Sequence, residues 1–61
     1  MVLTQEERDK FAQYLEEQAA TNETLATEAD KIGIQGISMV LRLDAKAFSH
    51  VAKRLRSTHT T

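Results

Sequence analysis

From Phe11 onward, the apolar residues in the first half of the chain recur three and four positions apart, or at sums of those steps. Phe11, Tyr14, Leu15, Leu25, Ala26, Ala29 and Ile32 follow this rule, which is the spacing of one helical face. At about 100° per residue they fall within roughly 120° of arc. Lys10, Gln13, Glu16, Glu17, Thr24 and Lys31 lie on the other side. The start is marked as well. Thr4-Gln5-Glu6-Glu7 fits a capping box, in which the Thr4 hydroxyl accepts from the Glu7 amide and Glu7 reaches back. Glu6, Glu7 and Asp9 set negative charge at the positive end of the helix dipole. The pattern predicts a helix over residues 4–32.

Gln18 and Asn22 interrupt the centre of that stripe. In a heptad reading, Leu15, Asn22 and Ala29 take position a, and Phe11, Gln18, Leu25 and Ile32 take position d. A polar residue at a can fix register and oligomer state at a cost in stability; a merely hydrated stretch of the face is the alternative.

Gly33-Ile34-Gln35-Gly36 is predicted to be the turn, because glycine readily takes the left-handed conformation that closes a helix C-terminus. A second helix is expected over 37–56, followed by a polar tail over 57–61. Ile37, Val40, Leu41, Ala47, Phe48, Val51, Ala52 and Leu55 make one broad face of it, and Arg42, Lys46, Ser49, Lys53 and Arg56 a narrow opposite stripe. Asp44 falls in the middle of the apolar face. It is accounted for by a helix break with Asp44 as N-cap of residues 45–56, by a charged or donating partner, or by an exposed edge. The alternation of Ile37 to Leu43 also admits a short strand. The expected fold is all-α, an antiparallel two-helix hairpin; with the turn centred near residue 34 or 35, Leu15 meets Leu55, Gln18 meets Val51 and Leu25 meets Asp44.

Length and charge sharpen this picture. Sixty-one residues make a single domain, and a chain this short buries only roughly 60% of the surface it exposes when unfolded. Small scaffolds therefore add disulfides, a metal or a partner chain. Cysteine is absent and the two histidines, His50 and His59, stand nine apart, so assembly into a helical-bundle homo-oligomer is the expected route, with no cofactor and no metal. Its expected interface is Phe11, Leu15, Gln18, Asn22, Leu25, Val40, Leu41, Phe48, Val51 and Leu55. No apolar run approaches the ~20 residues of a membrane span, and no signal peptide is visible, which points to the cytoplasm. Residues 1–30 hold two cations against eight acids, net −6, and residues 31–61 six cations against one acid, net +5. Either an acidic helix lies beside a basic one, or the basic half faces an anion.

The chemistry-bearing motifs are few. Ile32-Gly33-Ile34-Gln35-Gly36-Ile37 is similar to the glycine loop of KH domains, which clamps a nucleic-acid backbone. Here no strand precedes it and its interior carries no cation, so a plain helix cap is favoured. There is no Walker loop, no G-x-S-x-G and no H-E-x-x-H. Ser49 and His50 point about 100° apart on a helix, so an enzyme is not expected.

Leu3-Thr4-Gln5-Glu6-Glu7-Arg8-Asp9-Lys10-Phe11-Ala12-Gln13-Tyr14-Leu15-Glu16 and Val51-Ala52-Lys53-Arg54-Leu55-Arg56-Ser57-Thr58 resemble segments of short helical reading frames of tailed bacteriophages and prophages, a family without an assigned function. The resemblance transfers no site residue. It implies a small viral protein that acts in the host cytoplasm, binding a host factor or blocking a defence.

Three functions follow as expectations. The first is sequestration of an anionic, nucleotide-type ligand by an oligomer, through Arg42, Lys46, Ser49, His50, Lys53 and Arg56, with Thr58 at the edge. The second is docking on a host protein to inhibit it. The third, nucleic-acid binding, is disfavoured by the net charge of −1.

Overall fold

The computed structural model describes residues 2–57 as an all-helical hairpin. Helix α1 (Gln5–Lys31) runs out, and helix α2 (Gln35–Ser57) returns against it. The rod measures 48 × 17 × 14 Å. Among the described residues there is no strand, and no helix is long and apolar enough to cross a membrane. The polar tail from residue 58, with Thr58 and His59, lies outside the described residues.

The capping box at Thr4 is present in full. The Glu7 amide donates to Thr4 Oγ1 at 3.1 Å, and the Thr4 amide donates to Glu7 Oε1 at 2.8 Å. The bond from the Thr4 amide, first among the causes, holds the Glu7 carboxyl below its ordinary value. At the other end the Ile34 amide donates to the Ala29 carbonyl at 2.9 Å and the Gly33 amide to the Asp30 carbonyl at 3.1 Å. This is the Schellman closure, and it requires a left-handed residue; Gly33 has φ 83°.

The turn is therefore shorter than Gly33–Gly36. It spans residues 32–34, and Gly36 belongs to the first turn of α2. Only one glycine is needed in the left-handed region; the second sits in ordinary helix. Neither a strand over Ile37 to Leu43 nor a break at Asp44 occurs. Helix α2 runs through both, and Asp44 is exposed.

The seam between the helices has a clear period. On α1 the residues turned inward are Arg8, Ala12, Leu15, Ala19, Asn22, Ala26 and Ala29, and on α2 they are Ser38, Leu41, Ala45, Phe48, Ala52 and Leu55. Steps of three and four alternate along both rows, as in an antiparallel coiled coil. Leu15, Ala12 and Ala52 form the buried cluster, with Phe48 and Leu55 packed against it. Ala12, Ala26 and Ala52 have no exposure at all, whereas no large side chain is fully buried. A buried methyl contributes about 0.8 kcal/mol and a buried Leu or Phe about 1.5–3. The fully buried positions are thus alanine, and the larger seam residues Leu41, Phe48 and Leu55 keep part of their surface open.

This seam differs from the expected heptads in half of its positions. Leu15, Asn22 and Ala29 face α2 as expected. The other row is Ala12, Ala19 and Ala26, while Phe11, Leu25 and Ile32 turn to the flank and stay exposed. Small residues let two helices approach closely, and here the backbone contact takes precedence over the larger side chains.

Candidate functional site: two unlike flanks

Because the seam uses only a narrow arc, each helix presents a flank on either side of it. On one flank, α1 offers Asp9, Glu16, Glu23 and Asp30 at steps of seven. Facing them from α2 are Arg42, Ser49 and Arg56, also at steps of seven. Arg42 Nη2 lies 2.7 Å from Asp30 Oδ2. Arg56 grips Glu16 with two bonds, Nε to Oε2 at 3.1 Å and Nη2 to Oε1 at 2.7 Å. Such paired bonds are the geometry arginine makes best with a carboxylate.

The charges respond to this pairing. The bond from Arg56 holds the Glu16 carboxyl below its ordinary value. Asp30 is lowered likewise, by Arg42 first and by the Ser38 hydroxyl second. Arg42 and Arg56 are raised in turn, each chiefly by its own carboxylate. All four side chains remain between 41% and 47% exposed, so screening by water keeps the pairs weak. They set register more than they hold the fold.

The expected anion stripe is thereby engaged in part. Arg42 and Arg56 turn toward α1 and are engaged by acids. Ser49 lies with Lys46 and Arg42 along an open groove whose other wall is Glu16, Ala19, Ala20 and Glu23. Lys46 and Lys53 carry no ion pair among the described residues. His50 is exposed and separate from the groove. On the unbroken α2, Arg42, Lys46, Ser49, Lys53 and Arg56 follow one another at steps of three and four along one arc, with Arg42 and Arg56 paired to acids. Asp44, Ser49 and His50 are not brought together, since Ser49 lines this groove while Asp44 belongs to the other flank.

The other flank is apolar. Its inner positions are Phe11, Gln18 and Leu25 on α1, Ile32 just past its end, and Ile37, Asp44 and Val51 on α2. Near the turn Leu25, Ile32, Ile34, Ile37 and Leu41 line one open depression. Ile32 is 72% exposed and Ile37 52%, which is far from the ordinary fate of such side chains when they are gathered in one place. Val40 extends the same surface outward and is exposed as well. Of the expected interface residues, Leu15 is buried within the hairpin, and Leu41, Phe48, Leu55, Gln18 and Asn22 are half-buried. Phe11, Leu25, Val40 and Val51 are open.

Arg8 escapes pattern reading. It is 8% exposed, donates to the Leu3 carbonyl at 3.3 Å and to Gln5 Oε1 at 3.1 Å, and leaves its Nε without a partner. The sequence signal was its seven-residue spacing from Leu15. Among the described residues no group of His, Asp or Glu is arranged to hold a metal.

Comparison of the chain with family models, with curated proteins and with solved structures gives no match.

Proposed function

We propose that this chain is a non-enzymatic docking module that works through its apolar flank. The observation that carries the reading is the inversion of its hydrophobic residues. Alanines take the seam positions with no exposure, while Phe11, Leu25, Ile32, Ile37 and Val51 stand outside in one strip. A contiguous exposed apolar strip on a small protein marks an interaction surface, and a helical face of this kind is read by another helical face.

Sequestration of an anionic ligand by an oligomer is the second reading. Lys46 and Lys53 favour it, being unengaged by acids among the described residues. Arg42 and Arg56 weaken it, because a ligand must displace Asp30 and Glu16 to use them. A host protein is the partner class that the resemblance to phage reading frames implies for the first reading.

The test compares charge insertion on and off the flank. Leu25→Glu with Val51→Glu is set against Leu43→Glu, an equally apolar change at a residue 60% exposed elsewhere on α2. The flank variant is expected to change hydrodynamic size in sedimentation, and the control is not. If both behave as the unaltered protein does, in sedimentation and in binding of a fluorescent apolar dye, the flank is not a docking surface.

A further inference from the structure

The occupant of the flank can be argued from the hairpin itself, and the argument rests on the reading of that flank as a docking surface. We propose that it seats a second copy of this chain, laid antiparallel, so that Asp44 of each protomer accepts a hydrogen bond from Gln18 of the partner subunit.

Area is the first ground. A compact chain of this mass exposes about 4000 Å² by the scaling of folded monomers, and the hairpin exposes 4756 Å². The surplus is near the ~800 Å² that one partner contributes to a standard interface. The rod shape, 48 × 17 × 14 Å, carries that surplus, and two rods laid flank to flank become a four-helix bundle in which the large aliphatic residues of the flank sit inside.

The polar breaks are the second ground, and they choose the direction. Among the seven inner positions of the flank, only Gln18 and Asp44 are polar. The pairs Asp30–Arg42 and Glu16–Arg56 fix the register within the hairpin. They set Asp44 level with Glu28 on α1, about ten residues along the rod from Gln18. If two copies ran the same way, their Asp44 carboxylates would meet at one level inside an apolar contact, which like charges and desolvation both oppose. If one copy is reversed about the level of Glu23, Asp44 comes opposite Gln18 of the partner subunit. The side-chain amide of glutamine can donate to a carboxylate. The same reversal brings Phe11 against the Ile34–Ile37 end of the partner subunit, because Glu23 is also the midpoint of the apolar strip. One axis thus satisfies both the charge and the length of the flank. The acidic and basic rows lie on the opposite flank, remain at the surface and keep their own pairs.

Cross-linking reads this arrangement directly, since the chain has no cysteine of its own. Single variants Gln18→Cys and Asp44→Cys are oxidised separately and, in parallel, as a mixture equilibrated in the reduced form. A disulfide needs Cα atoms within about 7 Å. Ten residues of helix separate the like positions of an antiparallel pair by about 15 Å. The mixture is expected to form the unlike disulfide at least roughly tenfold faster than either variant forms its own, given the closeness a disulfide requires. Rapid self-coupling of Asp44→Cys overturns the proposal in favour of copies running the same way. Sedimentation of the unaltered protein supplies the second readout. A dimer lost in Leu25→Glu with Val51→Glu, with helicity followed by circular dichroism, supports the proposal. A monomer throughout the micromolar range overturns it. In that case, binding of a fluorescent apolar dye that the flank variant abolishes leaves the docking surface standing with a different occupant. A dimer indifferent to the flank variant overturns both.

Discussion

Replacing Gly33 and Gly36 by alanine, one at a time, is expected to move stability in opposite directions. The two sites are three residues apart, and in each a built Cβ meets nothing within 4 Å. Packing therefore drops out of the comparison, and only the backbone remains. Gly33 holds φ 83°. An L-residue pays about 1–2 kcal/mol for that conformation, against a gain of about 0.4–1 kcal/mol from a less flexible unfolded chain. The net expectation is a loss of about 1 kcal/mol, weighing those two terms together. Gly36 is the second residue of α2 and lies outside the left-handed region. Alanine there keeps only the favourable part, a gain of about 0.4–1 kcal/mol. Thermal unfolding at one fixed protein concentration is the assay, because association shifts the midpoint. In a domain of this size 1 kcal/mol corresponds to about 4–8 °C, so the two variants should separate clearly on either side of the unaltered protein. If Gly33→Ala is as stable as the parent, the Schellman closure does not control the turn. If Gly36→Ala is less stable, Gly36 is part of the turn after all.

Acid should weaken the hairpin through Glu16 and Asp30. Both folded values lie below the ordinary 4.5 and 3.8, so their contribution is complete above those values and disappears as pH falls through the lowered ones. Helicity followed by circular dichroism should be flat near neutrality and decline below about pH 4, as expected for carboxylates of this kind; Glu16→Gln with Asp30→Asn should flatten that limb, and an unchanged limb refutes the assignment. Leu15→Ala, at the centre of the buried cluster, should cost about 2–5 kcal/mol in urea unfolding; a loss below about 1 kcal/mol means the seam collapses onto the site. Arg8→Met should unfold at the same urea concentration or a higher one, because a cation with an unpartnered Nε is exchanged for a flexible apolar chain of similar length. A marked loss shows that its bonds to Leu3 and Gln5 outweigh its desolvation.

Much of this protein is written locally. Thr4 and Glu7 announce the start of α1, and Gly33 its end, because a cap needs only residues within one turn of itself. The three-and-four spacing declares two helices, and one short turn between them compels an antiparallel hairpin. The split of charge between the halves already contained the pairing of an acidic with a basic helix. The facing of the helices was not legible in the same way. The apolar arc of α1 holds an alanine row and a Phe11–Leu25–Ile32 row side by side, and periodicity gives greater weight to the larger residues. Which row turns inward depends on how closely two backbones can approach and on Arg42 and Arg56 reaching Asp30 and Glu16. Those are contacts between residues 12 and 40 positions apart in the chain. The same choice engaged Arg42 and Arg56 of the basic stripe with Asp30 and Glu16. It also left Asp44 on an exposed apolar flank rather than at a helix break. A side chain's position on its own helix follows from its number. What it faces follows only from the rotation of one helix against the other, and that rotation is set by the sum of many weak contacts that no single window of sequence contains.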